Sequence, residues 1–294
     1  MIDGNIPTLT INARTLPEAW ERTVMQVYKH GVEIKTQYDS PDDPASLDAT
    51  VIVTVEKPFA EPRIHKNMPG GPTELESYRQ EVVDGIHNHW IDPENGKWTY
   101  TYNERLFHYC PCENLKDSKS PKPFVPVDQI QFIIDSLVET GYSRRSQAIT
   151  YQPTCDAKTI DPPCLQRVWC RMLEDSEGNP VLNMNTHWRS RDLYRAWFMN
   201  AYALTDLQKY IAEEISKKIS KKVLIGRYVD ISDSLHLYGS LLKAVVPEII
   251  KMKETDISIS SRTYNSFNPA FKSMTDEAKH HLCMNPDYYA NGDI

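Results

Sequence analysis

The chain has 294 residues, with 33 Lys and Arg against 40 Asp and Glu, a net charge of −7, and 40% hydrophobic residues. That is globular composition with room for a sizeable core, and it excludes collagen-like, disordered and disulfide-scaffold classes. No apolar run approaches the ~18 residues of a membrane span, MIDGNIPTLTINART lacks signal-peptide character, an acidic chain without a basic block argues against nucleic acid, and six cysteines read as reduced thiols of a cytoplasmic protein.

The first element expected is a helix from Thr15 to His30. Thr15 and Glu18 read as a capping box, Pro17 suits a first turn, and Gly31 is a stop. Trp20, Val24, Val27 and Tyr28 give it one apolar face. Ala49–Glu56 is β-branched and reads as a strand. A Pro- and Gly-rich loop over 57–72 leads to a polar helix from Thr73 to about Gly85. Pro111–Pro126, with four prolines and three lysines, reads as an exposed connection.

An amphipathic helix over Val127–Thr140 presents Ile130, Ile133, Ile134, Leu137 and Val138. Strands are expected at Ser146–Tyr151, Leu165–Leu173 and Val181–Trp188, then a helix from Phe198 to Lys218. A strand over Leu224–Ile231 and a helix near Leu241–Ile250 follow. Beyond Met252 the chain is polar and weakly patterned, a docked or partly disordered tail. Helices flank strands without a regular βαβ rhythm, which predicts one α+β domain over 1–294, its mixed or antiparallel sheet backed by helices.

Cys164 stands in Asp161-Pro162-Pro163-Cys164, where two prolines fix the approach of the chain and hold the thiol at a loop-to-strand junction. Nearby arginines are expected to lower its pKa toward neutrality and favour the reactive thiolate. Cys155 and Cys283 read as isolated thiols and Cys170 as a strand residue. Cys110-Pro111-Cys112 near His108, and His280-His281 with Cys283, lack the second ligand pair of a zinc site, so no metal is expected. Arg144-Arg145, and Arg189 with Arg191 around Ser190, carry planar guanidinium groups suited to a phosphomonoester. In His236-Leu237-Tyr238, alternation puts two hydroxyl-binding side chains on one face. Asn200 is an amide in an apolar helix start, either a cap or the complement of an imide edge.

Taken in order, Pro162-Pro163-Cys164, Arg189-Ser190-x-Asp192, Asn200-Ala201-Tyr202 and His236-x-Tyr238 resemble the thymidylate synthase family, which includes the pyrimidine nucleotide hydroxymethylases. Ser143-Arg144-Arg145 is similar to the family's double-arginine segment, and Glu94-Asn95-Gly96 with Tyr102 to the stretch ahead of its active-site tyrosine. GIHNHW, YTYNERLF and PPCLQRVWCR look closer to the divergent archaeal-type branch.

The resemblance implies a homodimer through the sheet face and C5 one-carbon transfer to a pyrimidine nucleoside 5′-monophosphate. The donor would be 5,10-methylenetetrahydrofolate or a related pterin, and Cys164 would attack C6. It places Arg189 and Ser190 on the phosphate, with Arg144 and Arg145 reaching in from the partner. His236 and Tyr238 fall on the sugar, Asn200 on the base edge, Asp192 near base and pterin, and Tyr102 in a proton relay. Conversion of dUMP to dTMP leads. Hydroxymethylation of dUMP, dCMP or CMP is the alternative, and a non-catalytic nucleotide- or RNA-binding relative the other class.

The family's early phosphate-loop arginine has no match: Lys35-Thr36-Gln37-Tyr38-Asp39 occupies its place. For the catalytic glutamate, Glu81 is the first candidate and Glu76 the second. The tryptophan that packs on the transferred carbon falls near His87–Trp90, and the chain end, YYANGDI, departs from the family's apolar tail.

Overall fold

The computed structural model describes residues 4–110, 125–253 and 262–284. Nearly all of the Pro111–Pro126 connection lies outside them. In chain order the regular elements begin with β1 (Thr8–Ala13), α1 (Leu16–His30), β2 (Val32–Ile34), β3 (Ser46–Val55), β4 (Ile64–His65) and α2 (Pro72–Asp84). Next come α3 (Tyr102–Phe107), α4 (Gln129–Glu139), β5 (Gln147–Ile149), α5 (Pro153–Asp156), β6 (Leu165–Glu174) and β7 (Pro180–Trp188). The last are β8 (Arg191–Asp192), α6 (Trp197–Ile219), β9 (Leu224–Leu237), α7 (Gly239–Lys253), β10 (Thr263–Tyr264) and α8 (Pro269–Met284).

Eight strands form one mixed sheet in the order β1-β3-β9-β7-β6-β5, with β2 added to β3 and β8 to β9. β1 runs parallel to β3 and β7 parallel to β9, while β3–β9, β6–β7 and β5–β6 are antiparallel. The parallel pairs are joined through α1 and α6, so two β-α-β crossovers sit inside an α+β sheet that sequence rhythm did not reveal. The helices cover one face. Trp20 and Val24 of α1, Trp197, Phe198 and Leu204 of α6, and Trp188 and Tyr228 from the sheet are buried together. The eight-residue alternation from Val181 to Trp188 turns Leu182, Met184, Thr186 and Trp188 inward.

Local chemistry explains the helix ends. Extended Thr15 accepts from Glu18 N at 3.4 Å, and Gly31 N closes α1 on Val27 O. The reciprocal arm of the expected box goes one residue earlier, from Arg14 N to Glu18 Oε2 at 2.7 Å. Asp128 caps α4, and α2 ends at Gly85, whose φ of 70° favours glycine.

The segment after Met252 is docked over 262–284. β10 pairs with β4, and α8 lies against α2 with Phe271 and Ala278 buried. Buried Glu21 on α1 accepts from Arg262 Nη2 at 2.5 Å and Nε at 3.0 Å, and pairs with His65 Nε2 at 2.9 Å. Cys155, expected as an isolated thiol, is disulfide-bonded, which corrects the reading of an all-reduced chain. Cys110, Cys164 and Cys170 are free. Among the described residues no helix is long and apolar enough to cross a membrane.

Candidate active site

Cys164 is the last residue before β6, and its neighbourhood is built by Arg189. The Arg189 backbone N–H donates to Cys164 O at 2.9 Å. Its guanidinium donates to Pro163 O at 3.1 Å, to Pro162 O, and to Asp161 Oδ1 at 3.2 Å. Two prolines remove backbone donors while leaving their carbonyls available, and Arg189 uses both to fasten the loop.

A cleft of about 540 Å³ opens over this junction. Cys164, Arg189, Ser190, Asp192, His236 and Tyr238, all singled out in the sequence, line it together, joined by Arg191 and Ser234. β8 lies beside the end of β9, with Asp192 opposite His236, which explains how residues 44 apart converge.

Residues 35–38 line the same cleft, although they match no family motif. Asp39 organises them: its Oδ2 accepts from Thr36 N at 2.7 Å, and its Oδ1 from Ser46 Oγ at 2.7 Å. Ser46 Oγ in turn accepts from Gly239 N at 2.9 Å. Gly239 approaches so closely that a Cβ there would overlap the Pro44 carbonyl oxygen. The signal missed in the sequence was the turn chemistry of Thr36-x-x-Asp39.

Electrostatics correct one expectation. Burial raises the Cys164 thiol above its usual value, with Arg189 and Arg191 pulling it down and Asp161 pushing it up; the arginines moderate the shift without reversing it. Asp192 is also raised by burial, although its Oδ1 accepts from Tyr194 N and Arg195 N at 2.9 Å each. His236 is pushed down to about 4, again by burial, so it is neutral near pH 7. Ser234 Oγ donates to Asp48 and lies 3.4 Å from His236 Nδ1. With the serine proton spent on Asp48, Nδ1 is the donor, which leaves the lone pair on Nε2. Nε2 is buried without a partner among the described residues. Tyr238, edge-on to His236 at 4.5 Å, is pushed up to about 12 and stays a phenol.

Asp161 also lines a second cleft of about 360 Å³, with Tyr78, Glu81, Trp98, Tyr100 and Tyr102. The Tyr102 hydroxyl accepts from Leu165 N at 3.3 Å, beside the residue that follows Cys164. Glu81 pairs with His87 Nδ1 at 2.8 Å, and that imidazole stacks on Trp90 at 3.8 Å. Glu76 is buried against Arg79 and Gln80, so of the two glutamate candidates Glu81 is the one at a cleft. Asn200 is buried, and its Nδ2 donates to the Tyr78 hydroxyl at 2.6 Å. It therefore meets the second cleft through Tyr78. Tyr78 escaped sequence reasoning because an isolated tyrosine on a polar helix has no distinguishing pattern, and Tyr100 because it lies in irregular chain two residues before α3.

Arg144 and Arg145 stand apart. They line a separate hollow of about 680 Å³ with Tyr142, Asp135 and Glu139, and within one chain they do not reach the Cys164 cleft. Among the described residues no group of three or more His, Cys, Asp or Glu side chains could hold a metal ion. Cys112 and the side chains of His280, His281 and Cys283 lie outside them.

The family model described as Thymidylate synthase matches residues 71–275, well over half of the chain. The chain belongs to the thymidylate synthase family. It is thus a methyltransferase-type enzyme. Among the curated relatives of this family member, a protein named "Putative thymidylate synthase" from Methanococcoides burtonii is 27% identical over 230 residues, covering 78% of this chain and 88% of its own. One of the same name from Methanocaldococcus jannaschii is 25% identical, covering 83% and 98%. A solved structure, thermostable thymidylate synthase A from Bacillus subtilis, has a similar fold at a TM-score of 0.56 and 15% identity, covering 82% of this chain and 85% of that one.

Proposed function

We propose that this protein transfers a one-carbon unit from 5,10-methylenetetrahydrofolate to C5 of a pyrimidine nucleoside 5′-monophosphate, with dUMP to dTMP as the reaction. The observation that carries the proposal is the convergence of Cys164, Arg189, Ser190, Asp192, His236 and Tyr238 on one cleft. The cleft gathers a thiol, a guanidinium with a hydroxyl, and a neutral imidazole with a phenol, groups whose chemistry suits the base, the phosphate and the sugar of a nucleotide.

In this reading Cys164 supplies its sulfur to C6, which makes C5 nucleophilic and divides a difficult substitution into easier steps. Arg189 and Ser190 hold the 5′-phosphate, so Arg189 exchanges some of its Asp161 and proline-carbonyl partners for the anion. His236 Nε2 accepts a hydrogen bond from a sugar hydroxyl while the Tyr238 hydroxyl donates one. Asn200, through the side bonded to Tyr78, orients the base edge. Tyr102, with its hydroxyl against Leu165 N, belongs to the proton relay, and Asp192 lies between base and pterin. The second cleft suits the pterin: Trp98, Tyr78 and Tyr100 offer flat apolar walls, and Glu81 offers a carboxylate. The folate supplies the one-carbon unit and, for methylation, the hydride. A homodimer through the sheet face would bring the partner's Arg144 and Arg145 toward the phosphate, and the family is generally dimeric.

Hydroxymethylation is the second reading, and one observation favours it. The acid candidate Glu81 is paired with an imidazole, His87, so a polar group stands next to it in the His87–Trp90 segment. Methylation needs water excluded from the methylene, and polar groups near it favour attack by water.

Cys164→Ala tests the nucleophile. Turnover should vanish while nucleotide affinity stays within about threefold, because the thiol contributes a covalent step rather than binding. Persisting turnover would end the covalent reading. Loss of nucleotide binding together with turnover would mean that Cys164 is structural.

A further inference from the structure

Asn200 lies at the start of α6, and its backbone N–H already donates to Ala196 O at 3.0 Å, so it stands inside the helix rather than at its cap. The side chain is buried, and its Nδ2 donates to the Tyr78 hydroxyl at 2.6 Å. Its Oδ1 takes no hydrogen bond among the described residues. An open acceptor and one remaining Nδ2 proton stand side by side, which complements the N3–H and O4 of a uracil ring. The same amide turned over puts a donor where the acceptor stood, and then suits the N3 and the N4 amino group of cytosine. Whatever holds the amide in one orientation therefore chooses the base.

Tyr78, on α2, is the group in contact with that amide. It lines the second cleft with Tyr100 and Tyr102, and its hydroxyl feels charge from Glu81 in that cleft and from Arg191 in the thiol cleft. Burial pushes its pKa well above the usual phenol value, so the hydroxyl keeps a proton to place. Asn200 is its one hydrogen-bond partner among the described residues. Glu81 follows three residues later on the same face of α2. A phenol whose proton turns toward that carboxylate offers its lone pair to Asn200, and only the Nδ2 side of the amide can answer it.

We propose that Tyr78 is a positioning residue for base choice: by accepting from Nδ2 it holds the Asn200 amide with Oδ1 toward the base, and so sets a preference for uracil over cytosine. The proposal rests on the pyrimidine nucleotide reading of the site. It gives the phenol hydroxyl a part that a flat wall for a pterin does not require. Without the hydroxyl the amide turns over freely, and the site accepts either ring.

Base choice is measurable without turnover. The full-length protein is titrated with dUMP and with dCMP in a calorimeter, with no folate present. The parent should bind dUMP about thirtyfold more tightly than dCMP, because the wrong ring leaves a buried polar group unpaired. Tyr78→Phe keeps the ring and removes the hydroxyl, and should cut that ratio about tenfold. A merely structural tyrosine would weaken both nucleotides equally, so an unchanged ratio in Tyr78→Phe overturns the proposal, as does a parent that prefers dCMP. Should the stranded amide keep Tyr78→Phe from folding, Glu81→Gln leaves the phenol in place and removes the charge that draws its proton; the ratio should then fall about threefold, and an unchanged ratio again overturns the proposal. A parent that binds neither nucleotide overturns the proposal and the one-carbon reading together. Selective dUMP binding with a ratio indifferent to the hydroxyl overturns the proposal alone, so the two failures are separable.

Discussion

Between pH 7 and pH 4.5 the native protein should lose stability through His236, whose pKa burial holds near 4 against 6.5 for an ordinary imidazole. The folded-state value is the lower one, so the unfolded chain takes up the proton first. The stability is fully present above pH 6.5 and is lost as the pH falls toward 4. At pH 4.5 almost every unfolded molecule carries the proton and about a quarter of the folded ones do, which works out to about 2.5 kcal/mol. Other groups titrate in the same window. Asp48, raised by burial, works in the opposite direction, because the folded state gains its proton first. The comparison that isolates His236 is therefore His236→Gln, which keeps a polar side chain and does not titrate. Urea unfolding of both proteins at pH 7 and pH 4.5 should show the variant losing about 2 kcal/mol less between the two conditions than the parent. Equal losses would mean that His236 is not held neutral by burial, and the assignment of Nε2 as an open acceptor in the cleft would fall with it.

Three further outcomes follow from other parts of the structure. Gly239→Ala should overpack against Pro44 and disturb the Asp39–Ser46 anchor of the 35–39 loop, costing about 1–3 kcal/mol and raising KM for the nucleotide more than it lowers kcat; thermal melts and steady-state kinetics check this. Glu21→Gln should weaken the docking of 262–284, with a loss of about 3 kcal/mol and faster hydrogen exchange in α8, because it removes the carboxylate charge facing buried Arg262 and His65. Inactive Cys164→Ala chains mixed with inactive Arg145→Ala chains should regain some activity once subunits exchange; no rescue despite proven exchange would mean that Arg145 does not act across a dimer.

The polar motifs of the site were legible because each is held by local geometry that spacing records. Pro162-Pro163 fixes the thiol, strand alternation pairs His236 with Tyr238, and Arg189 to Asp192 follows directly on a regular strand. What stayed hidden depends on contacts across the fold. β1 was missed because only Ile11 and Ala13 of its six residues are buried, as suits an edge strand. β9 runs six residues past its expected end at Ile231, because the polar residues Ser232 and Ser234 find Arg191 and Asp48 as partners, and the hydrophobic pattern says nothing of that. The parallel crossovers were invisible for a similar reason: which strands become neighbours is decided by how α1 and α6 pack. The weakly patterned tail proved to carry a short strand and a helix, fastened by one arginine on a carboxylate 241 residues away. The acidity of Cys164 was misjudged because sequence shows the arginines and not the burial that outweighs them.

The measurement that bears most directly on the central claim is mass spectrometry of the nucleotide product. The purified protein is incubated with methylenetetrahydrofolate and, in separate reactions, dUMP, dCMP, UMP and CMP. The account predicts a methylated product from dUMP with dihydrofolate released, and none from Cys164→Ala. A hydroxymethylated product with tetrahydrofolate would move the assignment to the second reading, with the nucleotide consumed naming the substrate. No modified nucleotide from any of the four would contradict the account.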